Sequence, residues 1–211
     1  DGINKLLDKF GKINVLQLHN PRNEIKNWNQ IIEMFEEYKQ KKLIKYSGIS
    51  LARNFYFSSK ILNRFDFIQD EFNLLRIDPI YKMKKFNKTL AARSLFANGI
   101  LTKNFSLNTR YKKSDHRNSW LKGNRLKNIY NQKKILENLS KEDINKFATN
   151  FALSYKIFDK YIFGFRTTGQ FNQFYKNLKN FKQIESSTLK KVENLHKKNI
   201  FFINKKKCYN N

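Results

Sequence analysis

A chain of 211 residues is long enough for one sizeable core and too short to require two. Its 43 Lys and Arg against 17 acids give +26 and a pI near 10.1, but Lys, Asn, Ile, Phe and Tyr are enriched together and the cations are spread along the chain. The charge therefore argues for non-specific association and against nucleic acid as a dedicated partner. No run of about 18 uncharged apolar residues occurs, which argues against a membrane span, and a single cysteine, Cys208, excludes an internal disulfide framework and fits a reducing, cytoplasmic setting. The first residue is Asp, and nothing after it resembles a signal peptide, so a processed chain or part of a longer reading frame is expected.

In chain order, the first strong signal is INVLQLHNP, Ile13 to Pro21. It reads as a buried strand over Ile13 to Leu18 that carries Gln17 and His19 on one face and breaks at Asn20-Pro21. Trp28, Ile31, Ile32, Phe35 and Tyr38 then recur at helical spacing, with Glu33, Glu36, Glu37 and Lys39 on the opposite face. Further strand-like runs follow at Ile44 to Ile49, Phe65 to Ile68, Thr89 to Arg93 and Tyr161 to Phe165. Ile61 and Leu62 lead into the third run. Lys103 to Lys134 is polar, basic and poor in periodicity, which predicts a long loop. Leu136 to Tyr155 predicts two helices, the second opening at Ser140 with Asp143 three positions on, close to a capping box. The tail after Glu185 is biased toward lysine and includes Lys205, Lys206 and Lys207. Strands with little polar alternation, separated by helices, predict a parallel sheet in an α/β fold, either doubly wound or a barrel.

Polar residues gather at the C-terminal ends of these strands: His19, Ser50, Gln69, Ser94 and Arg166. Parallel α/β folds build their sites there, because the strand ends open on one face and loops surround them. Of three histidines, His19 alone ends an apolar strand, where a neutral imidazole can hydrogen-bond a substrate oxygen. In FGFRTTGQF, Phe163 to Phe171, an arginine fork, two hydroxyls and the start of a helix make a phosphate cradle. A plain strand-to-helix turn with a capped helix explains the same residues equally well. No glycine-rich dinucleotide fingerprint, Walker pattern or metal-spaced His/Cys cluster is present.

These segments together, from about residue 3 to 180, resemble the aldo/keto reductase family of (β/α)8-barrel oxidoreductases. INVLQLHNP is similar to that family's histidine-ending fourth strand, KKLIKYSGIS to its fifth, FDFIQDEFNLL to its sixth, ARSLFANGILTKNF to its seventh, and FGFRTTGQF to the eighth-strand turn; DHRNSW also resembles a family segment. The resemblance implies a partial TIM barrel with about five of eight βα units and parallel strands over residues 1–182, followed by a basic C-terminal helix or tail over residues 183–211. It implies NADPH as cofactor, a small-molecule carbonyl substrate and His19 as the catalytic residue that hydrogen-bonds the carbonyl oxygen. It implies cofactor contacts from Ser50 and Gln69 at the nicotinamide carboxamide, from Arg93, Ser94, Leu95 and Gly99 along the cofactor, and from Gly164, Arg166, Thr168 and Gln170 at the adenosine phosphate. Leu51 and Phe174 depart from the family pattern, standing where asparagines are common. The family's aspartate, tyrosine and lysine precede the histidine strand and so fall outside this sequence.

The expected whole is an incomplete aldo/keto reductase, inactive alone, soluble, with no membrane association, and prone to self-association through exposed strand edges. The rival expectation is a non-catalytic basic α/β module that binds nucleic acid or another polyanion, which requires Lys and Arg clustered on one face with aromatics between them.

Overall fold

The structure, a computed structural model, describes residues 2–22, 24–52, 57–140 and 142–198. Lys205 to Lys207 and Cys208 lie outside them. The elements in chain order are α1 (Gly2–Phe10), β1 (Ile13–His19), α2 (Trp28–Gln40), β2 (Ile44–Ser50), α3 (Ser59–Leu62), β3 (Phe67–Glu71), α4 (Asp78–Met83), β4 (Thr89–Arg93), a 3-10 turn (Ala97–Gly99), α5 (Arg117–Trp120), α6 (Gly123–Leu139), α7 (Ile144–Ser154), β5 (Lys160–Ile162), α8 (Thr168–Lys179) and α9 (Ser186–Lys197). They fall into two compact units. The first comprises Asp1–Glu71, Lys82–Arg93 and Ile157–Tyr161, and the second Phe72–Tyr81, Ser94–Lys156 and Ile162–Asn211.

The first unit is built on the sheet. Its strands lie in sequential order, β1-β2-β3-β4-β5, with parallel pairing from β1 through β4. An order that never doubles back is that of a (β/α) barrel; a doubly wound sheet reverses at its switch point. Four residues of β3, Ile68 to Glu71, are buried, as are Leu90 to Ala92 in β4, because these strands have neighbours on both sides. Asp159 fastens the sheet's last strand: its N–H donates to the Leu90 carbonyl (2.8 Å) and its carboxylate accepts the Leu90 N–H (2.7 Å). Helix α2 packs on β2, and Phe35 meets Phe65 edge-on at 5.7 Å. Next to Phe65, Asp66 Oδ2 accepts from the Ser47 N–H (2.9 Å), the Ser47 hydroxyl (2.9 Å) and Lys39 Nζ (3.2 Å). Burial pushes the Asp66 carboxyl up, and these three donors outweigh it and leave the group below its ordinary value.

Two features of this unit depart from the expectation. Helix α1 precedes the histidine strand and ends through Gly11 at φ 69°, a left-handed cap position that suits glycine. The run Ile13 to Leu18, apolar enough to be fully buried, is only half-buried, and His19 is exposed. The reason is position: β1 pairs with β2 alone among the described residues and stands at the sheet edge.

The second unit is helical. Phe72 stacks on Phe151 at 5.5 Å and meets Tyr155 edge-on at 5.3 Å, so α7 supplies much of the core. The expected loop over Lys103 to Lys134 is corrected: α5 and most of α6 occupy its second half. The buried face of α6 is Leu126, Ile129, Gln132, Lys133 and Leu136, and two polar members hid its period. Lys133 is 2% exposed, with its ammonium donating to the Phe105 carbonyl (2.7 Å) and paired with Glu137 (3.2 Å). A buried aliphatic stem with a satisfied head packs as an apolar residue does. The cap of α7 also moves. Asp143 accepts the Lys146 N–H at 3.0 Å, whereas Ser140 ends α6 and accepts from Glu142. The last strand is shorter than expected, ending at Ile162 instead of Phe165.

Helix α9 closes this unit through His196, whose Nε2–H donates to the Leu74 carbonyl at 2.9 Å. Burial lowers the imidazole's pKa below its ordinary value of 6.5, against smaller opposing effects of the Leu74 carbonyl and Asp78.

Two outcomes follow from this packing. A Cβ added at Gly48 would lie 2.7 Å from Gln17 Cγ and 3.2 Å from Val15 Cγ1. Gly48→Ala is therefore expected to cost about 1–3 kcal/mol by overpacking; an unchanged urea midpoint would contradict it. The His196 neutral form is favoured by folding, so the stability it contributes is full above the unfolded value near 6.5 and declines as pH falls below it. Urea midpoints at pH 7.5 and 5.5 should separate in the wild type and separate less in His196→Gln, and identical pH profiles would refute the assignment.

Candidate active site

In the first unit, parallel register sets a row of polar residues. His19 is the pairing partner of Ser50, and Ser50 of Gln69, on three adjacent strands. With strands about 4.8 Å apart, His19 and Gln69 are separated by about two spacings. Gln69 Nε2 donates to Ser50 Oγ at 2.9 Å, and Gln17 Nε2 lies 3.4 Å from Gln69 Oε1. Ser50 and Gln69 are buried, while Gln17 Oε1 is buried with no hydrogen-bond partner among the described residues. Gln69 does not end its strand, as the sequence suggested; β3 runs two residues further, to Glu71. The chain leaves β1 through Asn20 at φ 48°, a left-handed position that asparagine tolerates, with its N–H donating to the Ser50 carbonyl at 2.9 Å. That turn explains the break at Asn20-Pro21, and His19, the last residue of β1, is exposed. Arg93, at the end of β4, donates from Nη2 to the Leu51 carbonyl at 2.7 Å and so ties the loop after β2 to the sheet.

The second unit holds the other group. Ser94 leaves β4 at φ 57°, and its carbonyl accepts from Asn73 Nδ2 at 3.0 Å. Leu95 is buried. Ala97, Asn98 and Gly99 follow with φ of 47°, 58° and 88°. Arg117 holds this turn, donating from Nη1 to the Asn98 carbonyl at 2.8 Å, and a Cβ at Gly99 would stand 3.1 Å from that same nitrogen. Arg117 also grips Asp115 from Nε (2.9 Å), Nη2 (2.6 Å) and its own backbone N–H (3.0 Å). Arg166 reaches the same carboxylate from Nη1 at 3.1 Å. The hydrogen bonds from Arg117, then from Arg166, hold the Asp115 carboxyl well below the usual carboxylate range.

Around this cluster is a cleft of about 630 Å³ lined by Arg110, Tyr111, Lys112, Ser114, Asp115, His116, Arg117 and Arg166. The Arg117 guanidinium lies 4.1 Å from the Tyr111 ring centre. Four permanent cations against one acid make the cleft a place for an anion.

Helix α8 opens as a cap beside it. Thr167 Oγ1 accepts the Gln170 N–H at 3.2 Å, and Gln170 Oε1 accepts the Arg166 N–H at 2.8 Å. Thr168 is the first helical residue, and Gly164 has open space where a Cβ would stand. The capped turn is present, and the Arg166 guanidinium beside it is engaged by Asp115. Phe174 packs at 4.1 Å from Phe163 and 5.1 Å from Phe165 in an aromatic cluster. The sequence reasoning missed Asp115, Arg117, Arg110 and Lys112. The signal was present in RYKKSDHR, Arg110 to Arg117, four cations and a histidine around one acid. Among the described residues no His, Cys, Asp and Glu cluster could hold a metal ion, and no helix is long and apolar enough to cross a membrane.

Three solved structures share this fold. The glycerol dehydrogenase AKR11B4 from Gluconobacter oxydans is similar with a TM-score of 0.73 and 18% identity, over 93% of this chain and 63% of its own. The aldo-keto reductase AKR11C1 from Bacillus halodurans is similar in its apo form (TM-score 0.67, 17% identity, 92% of this chain and 66% of its own) and in its holo form (0.67, 16%, 92% and 65%). The chain thus spans less than two thirds of the length of these proteins. No curated protein matches it. The aldo/keto reductase family model matches residues 1–197, the span that contains the parallel sheet, the His19 row and the Arg166 cleft, and the chain belongs to that family.

Proposed function

We propose that this chain is part of an NADPH-dependent oxidoreductase that reduces an aldehyde or ketone. Family membership across residues 1–197 supports the reaction class, and the observation that carries the residue assignment is the in-register row of His19, Ser50 and Gln69. The residues fit the cofactor. Gln17 Oε1 is a buried acceptor awaiting an N–H, as a carboxamide would supply, and the Arg166 cleft suits a phosphate.

NADPH, when bound, supplies the hydride. His19 donates an N–H to the carbonyl oxygen, which polarises the bond and steadies the negative charge that develops there. Ser50 and Gln69 hold the carboxamide, their own orientation fixed by the 2.9 Å bond between them. Arg93, Ser94, Leu95 and Gly99 flank the cofactor. At the phosphate end Arg166 forks onto the anion, and Gly164, Thr168 and Gln170 shape the backbone that receives it at the start of α8. Because INVLQLHNP resembles the family's histidine-ending fourth strand, we place the family's aspartate, tyrosine and lysine outside these 211 residues. Proton delivery to the alkoxide is then incomplete in this chain alone. The reading places the protein in the cytoplasm.

A basic module for polyanions is the second reading, supported by the cations of the cleft and the Arg117–Tyr111 stack. Nucleotide titration separates the two. NADPH should bind more tightly than NADH, and Arg166→Ala should cost about 1.5–3 kcal/mol of NADPH binding, the usual loss for a charge-assisted contact. Equal binding by both proteins, or binding of any polyanion that vanishes with moderate salt, would favour the basic module.

The isolated 211-residue chain should show no NADPH oxidation above background with a panel of aldehydes and should self-associate, because the edge of β1 faces no described strand. A monomer that turns over aldehyde would contradict the incomplete-site reading.

A further inference from the structure

The arginine assigned to the phosphate is already engaged by an anion of the protein. Asp115 is 11% exposed and fixed by three donors of Arg117, so it cannot swing away. Arg166 is 64% exposed and holds that carboxylate through one nitrogen at 3.1 Å. A phosphate entering the Arg166 fork therefore meets a negative charge next to its binding group. It must share the guanidinium or displace it from Asp115. A carboxylate also has a constructive role toward an unphosphorylated nucleotide, since it accepts hydrogen bonds from ribose hydroxyls while arginine accommodates a 2′-phosphate. Both recognition groups stand together in this cleft.

We infer that Asp115 is a specificity-determining residue: an internal anion that competes for Arg166 and narrows the preference for a 2′-phosphorylated nucleotide over an unphosphorylated one. The inference rests on the reading of Arg166 as the phosphate fork. Its chemistry is negative discrimination, a like charge set against one ligand and indifferent or favourable to the other. The remaining cations of the lining, Arg110, Lys112 and Arg117, keep the cleft attractive to anions as a class, and Asp115 decides between them.

The test is calorimetric titration of the 211-residue chain with 2′,5′-ADP and with 5′-ADP, in the wild type, Asp115→Asn, Arg166→Ala and the double variant. Asp115→Asn should bind 2′,5′-ADP roughly fivefold or more tightly, the effect of removing one like charge about 4 Å away at near-water dielectric. Binding of 5′-ADP should be unchanged or weaker, and the gain should be smaller when Arg166 is also removed, because only direct repulsion is then relieved. Weaker 2′,5′-ADP binding by a folded Asp115→Asn would mean that the carboxylate positions Arg166 for the phosphate, which overturns the competition and leaves the proposed function standing. Failure of every protein to bind 2′,5′-ADP would remove the phosphate fork and the competition together. Should Asp115→Asn unfold, the wild type answers directly by NMR. Saturating 2′,5′-ADP should shift the Arg166 Nε resonance as the guanidinium leaves Asp115, and an unmoved resonance at saturation overturns the inference.

Discussion

Everything assigned to the reacting end of this molecule depends on the register of three parallel strands. Side chains alternate along a strand, so a slip of one residue between β1 and β2 would turn the whole outward set inward and separate His19 from Ser50. The register is held from several directions. Asp66 ties β2 through Ser47 and α2 through Lys39, Asn20 returns its N–H to Ser50, and Gly48 lets the side chain of Gln17 cross β2 at a distance no other residue would allow. The result is a fixed row in which each polar group orients the next: Gln17 toward Gln69, and Gln69 toward Ser50.

Much of this was legible in the sequence because it follows from local pattern. The apolar runs at Ile13, Ile44 and Thr89 matched β1, β2 and β4 within a residue or two, and the helical spacing from Trp28 matched α2. The motif order also identified the family, since five segments in the right sequence constrain far more than any one. What stayed hidden depended on long-range context. Lys133 and Gln132 occupy apolar positions of α6 and conceal its period, because a lysine whose ammonium finds a buried carbonyl and a carboxylate reads as surface in one dimension. The exposure of β1 reflects which strands stand beside it, and no residue within Ile13 to His19 carries that information. Asp143 displaced Ser140 as a helix cap although both are good capping residues, so the choice lay in where the backbone turned.

The anion cleft was hidden for a different reason. In a chain with a net charge of +26, one more cluster of cations carries little signal, and residues 110–117 lay in a stretch that read as loop. Folding distinguishes Arg117 and Arg166 from the other cations by giving them a common carboxylate. Arg117 uses it to join the 115–117 segment to the turn at Asn98, and Arg166 uses it to hold a place near the start of α8. On the proposed reading, the same bond that orders the cleft is the one an entering phosphate has to share or break.

The central proposal is that the polar row of the first unit recognises a nicotinamide group and that the cleft of the second recognises a phosphate-bearing nucleotide. Chemical-shift mapping with two half-ligands tests it most directly. Nicotinamide mononucleotide should perturb the side chains of His19, Ser50 and Gln69, and 2′,5′-ADP should perturb Arg166, Thr168 and Gln170, each leaving the other set unmoved. Perturbation of both sets by either half-ligand, or shifts spread over the surface lysines without either set, would contradict the account.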